Sequence, residues 1–308
     1  MATQQKLKHL IESQQLTVPI IKEIFDSTDL IRDGNYGRKP NGKILATLFY
    51  EPSTRTRLSF ESAMLRLGGS VISTENAKEF SSAIKGESLE DTARIVAAYS
   101  DCIVLRHHED GAARRAASVS KVPVINGGDG KGQHPTQALL DLYTIKTEMG
   151  RTEGLKVVMA GDLKNGRTVR SLSYLLGKFN ENEIIFVSPE HLRMEDDIKD
   201  YLKERKVRFS EEDDLQKTLP KADIIYMTRI QKERMNGEDY LKANGRYKID
   251  SESLKLVRAE SRIMHPLPHV EEINLPMDIE NNDKRVAYFR QAENGLYIRM
   301  AVLKHLLR

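Results

Sequence analysis

The sequence has one cysteine, no apolar run approaching the roughly 18 residues of a membrane-spanning helix, and little excess charge of either sign. Cys102 lies inside an apolar run, so we expect a small core residue rather than a nucleophile, and an internal disulfide is excluded. The formal net charge of +3, from 48 basic and 45 acidic residues, is too small to indicate nucleic-acid binding. We therefore expect neither a nucleic acid nor a membrane as a partner.

The first six residues lack the apolar core of a secretory signal, and acidic residues occur too early and too often for a transit peptide. We therefore expect a cytoplasmic protein. The chain has 308 residues, of which 39% are hydrophobic and 30% are charged. That length suits two globular α/β domains of about 150 residues each.

Strand-like segments alternate with helical patterns along the chain, which is typical of parallel sheets with right-handed crossovers. The predicted strands are 43–49, 70–73, 102–106 and 122–126 in the first half, and 155–160, 183–187, 207–209, 223–228 and 262–264 in the second. Two doubly wound parallel-sheet domains are the simplest account. The last predicted helix, 289–307, carries an apolar stripe and should pack against a folded domain.

Segment 49–61 joins the first predicted strand to a helix through Glu-Pro-Ser-Thr-Arg-Thr-Arg, with Ser53 at the expected N-cap. The first turn of a helix has backbone N–H groups without partners inside the helix. Two threonine hydroxyls and two arginines add neutral and charge-assisted hydrogen bonds there. The segment therefore predicts a phosphate site, although an ordinary capped surface helix has the same local pattern.

Ligands of open α/β sheets bind at the carboxyl ends of strands, and five loops at such ends here are rich in cations and amides. These loops are 53–57, 106–108, 127–137, 161–168 and 228–231. Together they predict a site for anionic ligands.

A nucleotide-binding P-loop is the first alternative. Segment 161–168 has its spacing and context, but Arg167 stands at the position of the required lysine. Segment 37–44 resembles the same pattern but precedes its strand. The aspartate that would bind magnesium at a strand end is also missing, since Asp223 comes before its apolar run. An NTPase is therefore disfavoured.

His134 lies in a glycine-rich loop just before a predicted helix, a position that favours a neutral imidazole able to polarise a carbonyl. A loop histidine held by its neighbours has the same pattern. No metal site is expected, because His107 and His108 are adjacent rather than spaced as ligands. Lys85 alone would be a solvated loop lysine.

The motif at 265–268, His-Pro-Leu-Pro, predicts a rigid turn that could contain a cis peptide bond. The functional alternative is a turn whose Leu267 and Pro268 carbonyls face a ligand amide. The local sequence does not separate the two.

Taken together, these motifs resemble the catalytic chains of the aspartate carbamoyltransferases, which join carbamoyl phosphate to L-aspartate in de novo pyrimidine synthesis. The matching motifs begin, in order, at Phe49, Lys85, Gly128, Gly161, Thr228 and His265. The resemblance implies two doubly wound α/β domains joined by helices, with the C-terminal helix packing back on the N-terminal domain. Residues 1–134 with 290–308 would bind carbamoyl phosphate, 135–149 would form a linking helix, and 150–289 would bind aspartate.

The resemblance also implies roles for individual residues, with no metal and no cofactor. Those implied to bind carbamoyl phosphate are Ser53, Thr54, Arg55, Thr56, Arg106, His134 and Gln137. Those implied to hold aspartate are Arg167, Arg229 and Gln231, while the carbonyls of Leu267 and Pro268 would contact both substrates. Ser81 and Lys85 would come from the neighbouring subunit, which implies a homotrimer with shared sites. The implied catalytic residues are Arg55, Thr56, Lys85, Arg106 and His134.

The implied reaction needs no protein nucleophile, because the aspartate amine attacks the carbamoyl carbon and the departing phosphate accepts its proton. Domain closure would bring Arg167 and Arg229 onto aspartate after carbamoyl phosphate has bound. His269 and Asn165 depart from the family pattern, which usually has arginine and tyrosine at these positions. The sequence leaves open whether regulatory chains or dihydroorotase bind.

Two further functions remain as alternatives. Ornithine carbamoyltransferases share the Ser-Thr-Arg-Thr-Arg and His-Pro-Thr-Gln motifs at 53–57 and 134–137. However, Arg229 would repel the cationic side chain of ornithine, and Pro266 stands where that sister family has cysteine. A non-catalytic phosphate-binding protein on the same fold is the other alternative.

Overall fold

The computed structural model describes residues 7–37, 40–77, 85–230 and 247–308. The chain divides into two compact units, of which unit 1 comprises Met1–Leu140 and Asn294–Arg308, and unit 2 comprises Asp141–Glu293. Both are α/β units with parallel sheets, so the predicted fold class is confirmed. The predicted domain boundaries, including a separate linking helix, stay a prediction.

Unit 1 contains a four-stranded parallel sheet in the order β2-β1-β3-β4. Its strands are β1 (Ile44–Phe49), β2 (Ser70–Glu75), β3 (Cys102–His107) and β4 (Val124–Asp129). The helices that begin in this unit are a 3₁₀ turn (Ser13–Gln15), α1 (Val18–Arg32), α2 (Thr54–Arg66), α3 (Leu89–Tyr99), α4 (Ala112–Val119) and α5 (Pro135–Met149). The continuous burial of β3 and β4 is typical of parallel strands covered on both faces.

Unit 2 contains a five-stranded parallel sheet in the order β10-β8-β5-β6-β7 and a short parallel pair, β11-β9. The strands are β5 (Lys156–Ala160), β6 (Glu183–Val187), β7 (Arg208–Glu212), β8 (Ile224–Met227), β9 (Ile249–Asp250), β10 (Arg262–Met264) and β11 (Ile273–Asn274). The helices are α6 (Arg167–Leu176), α7 (Asp196–Glu204), α8 (Leu215–Thr218), α9 (Met277–Asn282) and α10 (Tyr288–Leu306), with 3₁₀ turns at Glu190–Leu192, Leu219–Lys221 and Ser253–Leu256.

Each unit has its own apolar core on its sheet, formed by residues such as Ile103 in unit 1 and Ile225 in unit 2. Cys102 is fully buried, and burial raises the pKa of its thiol, so the predicted core role is confirmed. A bilayer-crossing helix is absent from the described residues.

The C-terminal helix α10 passes from unit 2 into unit 1, where it packs as predicted. Met300 and Leu303, from the predicted apolar stripe, are buried. The guanidinium of Arg299 lies over the ring of Phe60, 5.2 Å from its centroid. Lys304 donates a hydrogen bond to the carbonyl of Tyr36.

Glu148, near the end of α5, ties three elements of unit 2 together. Its carboxylate accepts hydrogen bonds from Arg262 at 2.9 Å and from Arg290 at 2.6 and 3.0 Å. Burial tends to raise the pKa of Glu148, but the two arginines outweigh it and hold the pKa below its ordinary value. Glu148 therefore stabilises the fold in its charged form.

Replacing Glu148 by glutamine should lower the free energy of unfolding by about 1–3 kcal/mol at neutral pH, since two half-buried guanidinium groups lose their anion. Because the folded-state pKa is depressed, the contribution is fully present above the unfolded value of 4.5 and is lost as pH falls through the lower folded value. Urea unfolding at several pH values measures this. The exposed Glu153→Gln is the control, and an equal loss at neutral and strongly acidic pH would contradict the charge argument.

Candidate active site

In unit 1, the predicted phosphate segment forms the first turn of α2. The helix begins at Thr54 with Ser53 as N-cap, and the Ser53 side chain makes no capping hydrogen bond. Thr56 is buried, whereas Arg55 is exposed. The helix start therefore combines backbone N–H groups that have no partner inside the helix with three side-chain groups. These are the hydroxyl of Ser53, the buried hydroxyl of Thr56 and the exposed guanidinium of Arg55.

His134, which lies between β4 and α5, contacts this turn. Its Nε2 lies 3.4 Å from Oγ1 of Thr56, and its Nδ1 lies 3.5 Å from Oγ1 of Thr136. His134 and Gln137 are both buried, and the backbone N–H of Gln137 donates to the carbonyl of His134 at 3.0 Å. The structure therefore brings these three predicted site residues, Thr56, His134 and Gln137, to one place.

Arg106 lies near the end of β3, directly beside Phe49 in the register of β1. One guanidinium nitrogen donates to the carbonyl of Gly127 at 3.1 Å, and another lies 3.5 Å from the carboxylate of Glu51. Since Ser53, Arg106 and His134 follow or end the neighbouring strands β1, β3 and β4, the predicted clustering at one sheet edge is found.

The glycine-rich loop before His134 is held by buried polar side chains. Asn126 donates to Asp129 at 2.8 Å and accepts from the N–H of Gly128 at 2.8 Å. Gly130 has a φ of 44°, and a Cβ there would lie 1.8 Å from the carboxylate of Asp110. β4 continues to Asp129, which pairs with His107 of β3, so the prediction that the strand ends at Asn126 was wrong.

Arg57, the second arginine of this segment, pairs with carboxylates of its own unit. It lies 2.7 Å from Glu75 and 3.8 Å from Glu61, so nearby carboxylates already balance its charge. Lys85 is exposed, and its role in a neighbouring site stays a prediction. Ser81 lies outside the described residues.

One group of potential metal ligands occurs in the described residues, His107, His108 and Glu109, whose ligand atoms lie within 4.8 Å of one another. Nδ1 of His107 accepts the backbone N–H of Glu109 at 3.1 Å, so in a neutral ring the other nitrogen carries the proton. Burial, and then His108, lowers the pKa of His107 and favours that neutral ring. Glu109 also pairs with Arg115 at 2.7 Å. One nitrogen of His107 and the carboxylate of Glu109 therefore already have partners within the protein.

In unit 2, the residues predicted to bind the substrate aspartate follow the neighbouring strands β5, β8 and β10. Ala160 lies beside Met227 in the register of β5 and β8, so the loops after them start together. Gly161 has a φ of 118°, and a Cβ there would lie 2.2 Å from the carbonyl of Thr228. Only glycine fits this close approach. Arg229 follows Thr228 and is partly exposed.

Arg167 is the first residue of α6 and is also partly exposed. In the loop before it, the backbone of Gly166 passes close to that of Asp162, and a Cβ on Gly166 would lie 2.6 Å from the Asp162 carbonyl. Arg167 and Arg229 therefore follow adjacent strands of one sheet, as predicted. Gln231 lies outside the described residues.

The turn after β10 contains a cis peptide bond between Leu267 and Pro268, and Leu267 has a φ of 56°. A non-glycine residue rarely adopts this left-handed conformation. His265 contributes directly, because its Nδ1 accepts the backbone N–H of Leu267 at 2.8 Å. The predicted rigid turn, with its cis bond, is confirmed.

Comparison with known proteins places both units in one family. Residues 8–147 match the carbamoyl-P binding domain of the aspartate/ornithine carbamoyltransferases, and residues 153–306 match their Asp/Orn binding domain. The chain belongs to the aspartate/ornithine carbamoyltransferase family. The fold and the enzyme class predicted from the sequence are therefore confirmed.

Similar relatives are aspartate carbamoyltransferases by name. Aspartate carbamoyltransferase 1, chloroplastic, of Pisum sativum is 56% identical over 98% of this chain and 79% of its own length. The catalytic subunit structure from Methanocaldococcus jannaschii is 48% identical with a TM-score of 0.88, covering 97% of this chain and 98% of its own. A Trypanosoma cruzi structure with carbamoyl phosphate and aspartate is 36% identical with a TM-score of 0.90, covering 98% of both chains. The ornithine alternative is not favoured.

The two departures from the pattern of aspartate carbamoyltransferases both contact carboxylates. Asn165 donates its side-chain amide to both oxygens of Asp162, at 3.2 and 3.1 Å, and its backbone N–H to one of them at 2.9 Å. Nε2 of His269 lies 3.2 Å from Oε1 of Glu280, which also accepts the hydroxyl of Tyr288. Burial, and then Glu280, raises the pKa of Tyr288, which keeps this hydroxyl protonated as the donor.

Sequence reasoning missed the buried carboxylates beside Asn165 and His265. Asp162 is fully buried beside Asn165, and Glu272 is buried beside His265. In the sequence both stand in polar loop segments next to strands, where exposed acidic residues are equally common. The one usable signal was the position of Asp162 at the carboxyl end of β5, whereas Glu272 directly precedes β11.

Proposed function

We propose that this protein transfers the carbamoyl group of carbamoyl phosphate to the amine of L-aspartate, giving N-carbamoyl-L-aspartate and phosphate in de novo pyrimidine synthesis. The observation that carries the proposal is the buried contact between Thr56, in the first turn of α2, and His134. A phosphate on that helix turn would bring its carbamoyl group against hydroxyl and imidazole donors. A relative that is 36% identical holds carbamoyl phosphate and aspartate together.

For carbamoyl phosphate, Ser53, Thr54, Arg55 and Thr56 would hold the phosphate. Arg106, His134 and Gln137 would bind the carbamoyl group, with Thr56 helping to polarise its carbonyl. The hydrogen bond from Arg106 to Gly127 and the ion pair with Glu51 support this, since they orient the guanidinium before substrate arrives. An oriented cation stabilises the developing oxyanion without reorganising.

For aspartate, Arg167, Arg229 and Gln231 would hold the two carboxylates, and Leu267 and Pro268 would offer backbone carbonyls. Arg167 and Arg229 follow adjacent strands, and arginine binds carboxylates through two parallel hydrogen bonds. The amine then attacks the carbamoyl carbon directly, and the leaving phosphate takes its proton. Arg55, Thr56, Lys85, Arg106 and His134 are the proposed catalytic residues.

Substrate choice tests this function. With carbamoyl phosphate, the purified chain should form carbamoyl aspartate from aspartate and no product from ornithine, because the arginines after β5 and β8 attract a second carboxylate and repel a side-chain cation. Chromatography of the products with radiolabelled carbamoyl phosphate measures both. Binding of carbamoyl phosphate without turnover would instead support the non-catalytic alternative.

The active assembly is proposed to be a homotrimer in which Ser81 and Lys85 complete the neighbouring site. Unit 1 presents exposed apolar side chains on one helix and on the edge strand beside it, Leu58 and Leu65 on α2 and Ile72 on β2. Exposed apolar groups in such an arrangement mark an interface. Regulatory chains, dihydroorotase and a cytoplasmic location stay predictions, and the pea relative is named chloroplastic.

A further inference from the structure

The turn that carries Leu267 rests on a buried histidine, His265, whose Nδ1 accepts the Leu267 N–H at 2.8 Å. A neutral imidazole has one acceptor nitrogen and one N–H, so Nε2 of this ring carries the proton. A second proton on Nδ1 would remove the acceptor and release the N–H of Leu267. The turn therefore depends on one tautomer of one ring.

Glu272 faces the protonated side of that ring. Its Oε1 lies 2.9 Å from Nε2 of His265 and accepts the backbone N–H of Val270 at 3.1 Å. The contact with His265 is short but is not a linear hydrogen bond, so its main component is the attraction between the carboxylate and the N–H dipole of the neutral ring. Burial tends to raise the pKa of Glu272, but the contact with His265 and the backbone donors lower it overall, which keeps the carboxylate charged.

A second set of bonds holds the backbone of the same histidine. The N–H of His265 donates to Gln291 at 2.8 Å, and the Gln291 amide donates to Asp141 at 2.6 Å. Asp141 also accepts the hydroxyl of Tyr226 at 2.7 Å, and all four residues are buried. Tyr226 lies in β8, the strand that precedes Arg229. The turn and this strand therefore share one buried polar network.

We propose that Glu272 is a positioning residue, which acts through His265 to fix the turn that presents the Leu267 and Pro268 carbonyls to the substrates. The inference rests on the proposed function. One carboxylate oxygen reaches both ends of the turn, Leu267 through the ring of His265 and Val270 directly. This double contact constrains a leucine whose φ of 56° is unfavourable without support.

Glu272→Gln separates the charge from the shape, because glutamine keeps an oxygen for the N–H of Val270 but loses the anion beside His265. We expect kcat/KM for aspartate to fall on the order of 10-fold or more, since small displacements of positioning groups are costly. The melting temperature should change by only a few degrees. The control is Glu260→Gln, the same change at an exposed position of unit 2, which should behave as the wild type.

His265→Asn gives the second arm. The asparagine oxygen can accept the N–H of Leu267 in place of Nδ1, but the shorter side chain cannot reach Glu272. If both residues act through one contact, the double variant should lose no more kcat/KM than the worse single variant. A purely structural role would instead lower thermal stability without this non-additivity.

Fully multiplicative losses, or a wild-type kcat/KM in Glu272→Gln, would overturn the inference while the wild-type chain still forms carbamoyl aspartate. An inactive wild-type chain would overturn the proposed function and this inference together. Should Glu272→Gln fail to fold, His265→Asn decides alone. A fall in kcat/KM for aspartate on the order of 10-fold would support the role, and an unchanged kcat/KM would reject it.

Discussion

Arg55→Ala should abolish carbamoyl transfer with the fold intact. Arg55 lies in the first turn of α2, where the helix N-terminus and its hydroxyls would meet the phosphate dianion. Arg55 is exposed but not fully solvated, and this partial burial lowers the pKa of its guanidinium below the ordinary value, yet an arginine stays charged near neutral pH. Losing that charge should reduce kcat/KM on the order of 10³-fold, which is the size expected for removing one preorganised donor to a reacting anion.

The measurement is the steady-state rate of carbamoyl aspartate formation, with circular dichroism to check the fold. Arg114→Ala is the matched control, because Arg114 is an exposed arginine of the same unit paired with Glu12. Arg55→Lys should fall between the two, since lysine keeps the charge but not the bidentate geometry. Near-normal turnover by Arg55→Ala would contradict the proposal that this turn binds the phosphate.

The start of α2 shows what local sequence can predict. β1 ends at Phe49, Pro52 lies between strand and helix, and Ser53 is the N-cap, so the change from strand to helix depends on nearby residues alone. Arg57 marks the limit of that reasoning. Residues two positions apart on a helix do not share a face, so Arg57 points away from Arg55 and pairs with Glu75.

Contacts over long separations could be anticipated only through the sheet. Thr56 and His134 are 78 residues apart, and they meet because each follows a strand of one parallel sheet. The rule that ligands collect at carboxyl ends of strands predicted the edge, but not the pair. Asp129 was read as a loop residue, because its pairing with His107 of β3, through which β4 continues beyond Asn126, is a tertiary feature.

The buried partners of site residues were not predictable from the pattern. Glu272 follows another glutamate in a polar segment, and nothing local distinguishes the buried residue from the exposed one. What separates them is the ring of His265 at 2.9 Å, a consequence of how the turn after β10 folds. Positioning residues of this kind can be recognised only from the packing, whereas residues proposed to bind substrate lie in recognisable sequence motifs.

Mixing two inactive variants should restore activity if sites are shared between subunits. Lys85→Ala chains keep Arg55 and Arg55→Ala chains keep Lys85, so a site with Arg55 from the first and Lys85 from the second is complete. In a cyclic trimer assembled at random from equal amounts, about a quarter of all sites are of this kind. Joint unfolding and refolding of the two variants should therefore give about a quarter of wild-type activity from two nearly inactive proteins.

The geometry of unit 1 makes this a direct test of the trimer. Lys85 is exposed, and the apolar side chains of Leu58, Leu65 and Ile72 give a neighbouring chain a surface on which to pack. Mixing Arg55→Ala with Thr56→Ala chains is the control, because both residues belong to one half of the site and no complete site can form. Mixed trimers that sediment normally but stay inactive would mean that Lys85 serves the site of its own chain.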